Sequence, residues 1–322
     1  MTGQILACRV ANYAAVDCGT LSTRLLVTGP GGEPLARLMQ VTGLGQGVDR
    51  TGSLRPDAVT RALAVLEQYR RVMDHHDVAA ARMVGTSALR DASNRASFSE
   101  PASAIIGAPL ELLSGAEEAA LSFLGASMGL PSDSGPWFMA DIGGGSTELV
   151  VGPRPAGYCS LQLGCVRVTE RFFEHDPPRP EELAEAAGWL SSRYAEAVQQ
   201  EPALASGRAM VGLAGTVSAL ACFDQGLVTY DRDRVHHYRL SRPAVERALG
   251  QLAATPAEER AHRPGVEPAR APYIVGGTLV LATLMSHFGF GQCLVSESDI
   301  LDGLTQELRS GRAVAGPRGA TG

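Results

Sequence analysis

The chain has 322 residues, of which 45% are hydrophobic and 19% are charged. This length is too great for one ordinary hydrophobic core and predicts two domains of about 150 residues each. The net charge of −6 argues against broad nucleic-acid binding, and the absence of lysine excludes a Walker-type phosphate loop, since all 28 basic residues are arginine.

The first half of the chain predicts an α/β unit. Strands are predicted between Tyr13 and Leu38, with a turn at Asp17-Cys-Gly-Thr20 between two β-type runs. Pro56 begins a predicted helix, because apolar residues recur on one of its faces. Two short strands and a further helix are predicted at residues 81–84, 110–113 and 117–125.

The second half repeats this scheme. An apolar run at 137–140 precedes the glycine-rich segment Asp141-Ile-Gly-Gly-Gly-Ser-Thr-Glu148, and a β-type run follows that segment. Next come a predicted strand near 158–163, a helix from Glu181 to Gln199, and a strand-to-glycine turn at Met210–Thr216. We therefore expect the chain to contain a duplicated α/β unit.

The two loops after the first strand of each half predict a phosphate clamp. Glycine lets the backbone approach a ligand closely, and consecutive N–H groups in such turns bind anions. Serine and threonine hydroxyls add donors, and aspartate supplies the hard oxygen atoms that Mg²⁺ requires. One such loop alone is more often a tight hairpin, but two related loops indicate a ligand site between two related domains.

The remaining composition predicts a cytoplasmic protein. The six cysteines have no C-x-x-C spacing, which argues against a zinc site or a disulfide framework and favours a reducing compartment. The N-terminus has no signal-peptide pattern. The richest apolar run, Pro272–Met285, is shorter than a membrane span and contains Gly276-Gly277, so we expect no membrane partner.

Taken in order, the sequence blocks resemble a known family, the exopolyphosphatase/guanosine pentaphosphatase (Ppx/GppA) family of the actin-like ATPase superfamily. The resemblance covers about residues 12–308. The matching blocks are Asp17-Cys-Gly-Thr20, Gly85-Thr-Ser-Ala-Leu-Arg90, Ser114-Gly-Ala-Glu-Glu118, Asp141-Ile-Gly-Gly-Gly-Ser-Thr-Glu148, Gly164-Cys165, Gly212-Leu-Ala-Gly-Thr216 and Val295-Ser-Glu-Ser-Asp-Ile-Leu-Asp-Gly303.

The resemblance implies a fold of two ribonuclease-H-like domains with the active site in the cleft between them. The expected boundaries are 1–126 for the N-terminal domain and 127–310 for the C-terminal domain. Residues 311–322 form a predicted disordered tail, because they are rich in Gly, Ala and Arg. With these two expected domains the chain resembles the short form of the family.

The resemblance also implies hydrolysis of a terminal phosphoanhydride, with Glu118 as the base that orients water. The alternative for acidic residues here is stabilisation of a helix N-terminus, and Glu117 is expected to cap the helix together with Ser114. Glu148 is expected to position water. Arg90 ends its block and is expected to bind two phosphate oxygens as a fork.

The implied metal ligands are Asp141 and Asp17, with Mg²⁺ as the cofactor, Mn²⁺ as its substitute and a monovalent cation as a further candidate. Ordinary turn formation is the alternative for both aspartates. Three other arginines are weaker candidates for a polyanion channel, with a solvated surface as the alternative: Arg95, Arg167 and Arg171. The expected phosphate-binding residues are Asp17, Gly19, Thr20, Gly143, Gly144, Gly145, Ser146, Thr147, Gly215 and Thr216.

Two positions depart from the family pattern. Leu21 stands where the family usually has asparagine, and leucine cannot donate a hydrogen bond to phosphate. Gly43 stands where relatives often have arginine, which removes a possible anion contact. Leu21 therefore predicts either weaker phosphate binding by the first loop or a different orientation of that loop, and the two departures together argue against full activity.

The leading prediction is a Mg²⁺-dependent exopolyphosphatase that releases phosphate from inorganic polyphosphate. The alternatives are a guanosine pentaphosphate phosphohydrolase, a non-catalytic sensor of polyphosphate or alarmone, and a sugar or acid kinase of the same superfamily. The Ser-Gly-Ala-Glu-Glu block argues against the kinase. The resemblance suggests a homodimer, and Tyr273–Met285 is either its interface or, by preference, part of the core.

Overall fold

The computed structural model describes residues 11–130, 135–152 and 157–311, which form two β-sheets and the helices around them. In chain order the strands are β1 (Asn12–Cys18), β2 (Ser22–Thr28), β3 (Pro34–Val41), β4 (Val78–Gly85), β5 (Leu110–Leu112), β6 (Trp137–Ile142), β7 (Thr147–Gly152), β8 (Gly157–Leu161), β9 (Ala209–Leu213), β10 (Arg239–Ser241) and β11 (Gln292–Val295). The helices are α1 (Val48–Thr51), α2 (Pro56–His75), α3 (Ser87–Asp91), α4 (Ala96–Ile106), α5 (Gly115–Ser127), α6 (Cys165–Phe172), α7 (Pro180–Gln200), α8 (Ala214–Gln225), α9 (Arg232–Val235), α10 (Arg242–Ala253), α11 (Ala257–Arg260), α12 (Ile274–His287) and α13 (Ile300–Ser310).

Both sheets have the same topology, which confirms the predicted duplication and the two-domain ribonuclease-H-like fold. The first sheet has the order β3-β2-β1-β4-β5, with β1 to β3 antiparallel and β4 and β5 parallel to β1. The second sheet repeats this order as β8-β7-β6-β9-β11 and adds β10 at its edge. Here the first sheet with α1 to α4 is called the N-terminal lobe, and the second sheet with α6 to α12 the C-terminal lobe.

Helices cover the outer face of each sheet. In the N-terminal lobe, Leu66 of α2 and Phe98 of α4 pack with apolar residues of β1 and β2. In the C-terminal lobe, Leu190 of α7 and Leu281 of α12 belong to the largest apolar cluster. The segment Tyr273–Met285 is thus part of the core, which was the preferred interpretation over a dimer interface. Gly276-Gly277 lies within α12.

Helices α5 and α13 lie between the two sheets. Residues of α5 pack on the second sheet, and residues of α13 pack on the first. Glycine is required where these helices touch, because a Cβ at Gly125 would lie 1.8 Å from the Asp299 carbonyl oxygen and one at Gly303 would lie 2.2 Å from that of Leu121. This close approach brings the first turns of both helices to the cleft.

Several predicted elements differ in extent from the structure. The helix predicted at Glu181–Gln199 spans Pro180–Gln200, and the strand predicted near 158–163 ends at Leu161. The glycine turn after β9 is the first turn of α8, since the helix begins at Ala214 directly after the strand. The domain boundaries stay a prediction, although α13, placed in the C-terminal domain, packs on the first sheet.

Two further predictions concern the chain ends and the membrane. The predicted disordered tail lies, from residue 312 onward, outside the described residues. Within the described ranges, no helix combines the length and the apolar character that crossing a membrane requires.

Candidate active site

The two predicted loops are equivalent hairpins that face each other. In one, Asp17 pairs with Arg24 across β1 and β2, and in the other, Asp141 pairs with Glu148 across β6 and β7. A backbone hydrogen bond of 3.0 Å closes each loop. The Gly19 N–H donates to the Ser22 carbonyl in the first loop, and the Gly143 N–H donates to the Ser146 carbonyl in the second. The hairpins nearly touch, because a Cβ at Gly144 would lie 3.0 Å from the backbone nitrogen of Leu21.

The loops form one end of a cavity of about 840 Å³ between the lobes. Glu118 at the start of α5 and Gly215 at the start of α8 also line it. Most of the predicted site residues therefore share one space. Those that line it are Asp17, Gly19, Thr20, Glu118, Asp141, Gly143, Gly144, Gly145, Ser146 and Gly215.

Four predicted residues lie behind the cavity wall. The Thr147 hydroxyl donates to the Leu163 carbonyl at 2.7 Å, and Thr216 is buried against Gly277 of α12. Glu148 accepts a hydrogen bond of 2.8 Å from the Ser160 hydroxyl, and Arg90 contacts Glu118 from outside. Their side chains support the cavity wall and do not project into the open space.

Glu118 is a buried carboxylate held by Arg90. The Arg90 guanidinium donates to Glu118 at 2.7 Å and to the Leu113 carbonyl at 2.9 Å. Burial raises the pKa of Glu118 to about 7, with Asp141 and Asp17 adding to the rise and Arg90 opposing it. A carboxylate with this pKa can accept a proton near neutral pH.

The neighbouring glutamate has the expected helix-capping role. The Ser114 backbone N–H donates to the Glu117 carboxylate at 2.8 Å, and the Glu117 N–H donates back to the Ser114 hydroxyl at 3.3 Å. This capping box fixes the first turn of α5. It therefore also fixes the backbone that carries Glu118.

Two more buried carboxylates lie beside Glu118. The Ser122 hydroxyl donates to Asp141 at 2.7 Å, and burial raises the pKa of Asp141 to about 6. Burial, reinforced by Glu118 and Asp141, also raises the pKa of Glu148 well above its ordinary value. Such proximity of buried carboxylates is unfavourable unless a cation or protons compensate it.

Arg24 is a site residue that the sequence did not reveal. It donates to Asp17 at 2.6 Å and to Asp299, the N-cap residue of α13, at 2.5 Å. The second oxygen of Asp17, Oδ1, and the Thr20 hydroxyl are buried and have no partner among the described residues. Two unpaired oxygen atoms at the loops, close to Asp141, fit a hard divalent cation such as Mg²⁺.

The arginines that line the cavity are not those predicted. Arg270 is only 6% exposed, and its guanidinium lies against Gly215 without a side-chain hydrogen bond to the described part of the chain. No spacing signal marks it in the sequence, whereas Arg24 follows the first loop on β2. The arginines lining the cavity are Arg24, Arg37, Arg232, Arg263 and Arg270.

The three arginines predicted for a channel lie elsewhere. Arg95 is exposed at the start of α4, and Arg171 lies over the Trp189 ring at 4.8 Å. Arg167 forms ion pairs with Asp49 and Asp91. None of the three lines the cavity, and Arg95 and Arg171 are exposed, as the surface alternative expects, so a channel role for these arginines stays a prediction.

Comparison with known proteins gives one consistent set of relatives. The sequence model of the Ppx/GppA phosphatase family matches residues 28–308. Exopolyphosphatase 2 of Mycobacterium tuberculosis is 38% identical over 317 residues, covering 93% of this chain and 99% of that protein.

Solved structures of similar proteins have the same fold. An exopolyphosphatase from Cytophaga hutchinsonii superposes with a TM-score of 0.83 at 25% identity, covering 94% of this chain and 99% of the other. The Ppx/GppA enzyme of Aquifex aeolicus superposes with a TM-score of 0.75 at 28% identity, covering 93% and 99%. The similarity thus extends over both lobes.

Proposed function

We propose that this chain, which belongs to the Ppx/GppA phosphatase family, removes terminal phosphate from inorganic polyphosphate. Its family and its exopolyphosphatase relatives make it a phosphoanhydride hydrolase. The observation that carries the proposed hydrolysis is the position of Glu118. It is a buried carboxylate with a pKa near neutrality, facing two glycine loops across one cavity.

In this proposal Glu118 is the general base. Its carboxylate takes a proton from a water molecule while the water oxygen bonds to the terminal phosphorus and the bridging P–O bond breaks. The shortened chain departs with the bridging oxygen. Arg90 holds Glu118 in place from behind the cavity wall.

The loops supply donors for the transferred phosphoryl group. Backbone N–H groups of residues 144–146 and the hydroxyls of Thr20 and Ser146 surround one end of the cavity. Donors that are already in place stabilise charge that develops on the phosphoryl oxygens. Arg270 and the first turn of α8 extend the positive region toward the leaving group.

We also propose that Asp17 and Asp141 hold Mg²⁺, or Mn²⁺ in its place. The support is the unpaired Asp17 Oδ1 and its position beside the buried Asp141 carboxylate, whose pKa burial raises to about 6. When bound, the ion neutralises charge on phosphate oxygens. In this proposal Glu148 acts on the water only through Glu118, because Ser160 holds its carboxylate behind the cavity wall.

Guanosine pentaphosphate remains the second candidate substrate, because the far part of the cavity has a different lining. Apolar residues such as Ala219, Cys222 and Val266 line it, together with the Glu297 carboxylate, which accepts hydrogen bonds from Ser218 and Tyr230. Apolar walls and an acceptor suit a nucleoside better than a phosphate chain. The cavity arginines without an ion pair in the described structure, by contrast, suit polyphosphate, and these are Arg232, Arg263 and Arg270.

The substrate is tested by phosphate release from long-chain polyphosphate and from guanosine pentaphosphate in the presence of Mg²⁺. We expect the larger kcat/KM for polyphosphate, and Glu297→Gln should leave that value unchanged. If guanosine pentaphosphate has the larger value and Glu297→Gln lowers it, the nucleotide is the substrate. Release from neither, with binding of both retained, would contradict hydrolysis and favour a sensor.

A further inference from the structure

Arg167 of α6 connects the two lobes behind the phosphate loops. Its Nε donates to the Gly145 carbonyl at 2.9 Å, inside the second loop. Its terminal nitrogens pair with Asp49 of α1 and, at 2.7 Å, with Asp91 of α3, both in the N-terminal lobe. One mostly buried side chain therefore binds a phosphate loop and two carboxylates of the opposite lobe.

A second contact lies one helical turn further along α6. The Gly47 N–H donates to the Glu170 carboxylate at 3.0 Å across the lobes. The segment that carries Gly47 also holds the first phosphate loop, because the Gly45 N–H donates to the Thr20 carbonyl at 2.8 Å. The same segment thus joins the first loop to α6, just as Arg167 joins the second loop to the N-terminal lobe.

Leu21 adds an apolar contact to this surface. Its side chain is 3% exposed and packs with Cys165, Val166 and Tyr273, all of the C-terminal lobe. A leucine in the first loop therefore has a partner surface in the opposite lobe. This apolar contact explains the position of the Leu21 side chain without a bound phosphate.

We propose that these contacts form a closure latch, defined by Leu21, Asp49, Asp91, Arg167 and Glu170, and that Leu21 and Arg167 are positioning residues. Each contact joins the lobes, and the donors of both loops converge on one phosphoryl group only while the lobes are closed. Substrate entry and product release need the cleft to open, so the latch sets the fraction of closed, binding-competent protein. This consequence for catalysis rests on the proposed hydrolase function.

The direct test is the double variant Asp49→Asn with Asp91→Asn, which keeps the Arg167–Gly145 contact and alters only half-exposed side chains. Without substrate, amide exchange at Gly47 should become faster by about tenfold or more, since its acceptor lies across the cleft. With substrate, KM should rise only in proportion to the fall in the closed fraction, and so by a smaller factor than the exchange rate, while kcat stays within about twofold. Asp57→Asn is the matched control, because it breaks arginine pairs within one lobe.

A second pair of variants tests Leu21. Leu21→Asn puts an amide into the apolar contact and should speed amide exchange at Gly47. Leu21→Met keeps the contact apolar and should exchange at the wild-type rate. Unchanged Gly47 exchange in both the double variant and Leu21→Asn overturns the latch, as does a fall in kcat at constant KM. The exchange measurement needs no substrate and therefore tests the latch independently of hydrolysis. Unchanged exchange in an active enzyme contradicts the latch alone, and faster exchange in an inactive protein contradicts the hydrolase function alone.

Discussion

Replacing the buried carboxylate of Asp141 by an amide should stabilise the metal-free protein. Burial raises the pKa of Asp141 from 3.8 to about 6, so the folded state favours the neutral form. At a pH above both values the group is ionised in the folded and in the unfolded chain, and the folded state is destabilised by about 3 kcal/mol. Asn has the shape of the neutral acid, and its oxygen can still accept the Ser122 hydrogen bond.

The expected gain depends on pH. Near about pH 4.5 the folded group is already protonated, so Asp141→Asn should gain only about 1 kcal/mol, against about 3 kcal/mol near about pH 8. For 322 residues the larger value corresponds to a rise of about 4 °C in the thermal midpoint.

The measurement is thermal unfolding of wild type and Asp141→Asn in EDTA at both pH values. Asp57→Asn is the control of opposite sign, because hydrogen bonds from Arg61 and Arg55 lower the pKa of Asp57 to about 2. It should not stabilise the protein at either pH. A lower midpoint for Asp141→Asn near about pH 8, or an equal difference at both pH values, would contradict a destabilising ionised carboxylate at Asp141.

Three further predictions concern the base, the metal and the helix pair. Arg90→Gln removes a positive charge that lowers the pKa of Glu118, so the acid limb of the pH–rate profile should move to higher pH. A shift to lower pH would contradict the Arg90–Glu118 contact. Mg²⁺ should raise the thermal midpoint of the wild type more near about pH 8 than near about pH 5, because Asp141 is protonated below about 6, and no rise at either pH would count against the metal site. Gly303→Ala should lower the free energy of unfolding by about 2 kcal/mol or more, since its Cβ would meet the Leu121 carbonyl oxygen, whereas Gly250→Ala, in open space on α10, should raise it.

Local sequence was sufficient to predict the two hairpins and their arrangement facing each other. The strand–turn–strand pattern is encoded by neighbouring residues, and it occurs around both Asp17 and Asp141. The capping box of Ser114 and Glu117 is local too and was predicted correctly. Both features depend on spacings of a few residues, which a single sequence shows directly.

Contacts between distant segments could not be predicted in this way. Arg24 meets Asp299 across 275 residues, and Arg270 lies in the cavity only because α8 and the segment before α12 converge there. Leu21 was interpreted as a lost phosphate donor, whereas its side chain packs on the opposite lobe. Tertiary packing decides which face of such a residue meets a ligand, and no local pattern carries that information.

Glu118 is the proposed base of this phosphoanhydride hydrolase. The most direct test compares phosphate release from polyphosphate by Glu118→Gln and by Glu117→Gln, its neighbour in the capping box. We predict that Glu118→Gln loses activity by about 10²-fold or more, while Glu117→Gln, which can still cap the helix, stays within about twofold of wild type. Equal activity of the two variants, or near wild-type release by Glu118→Gln, would contradict the assignment.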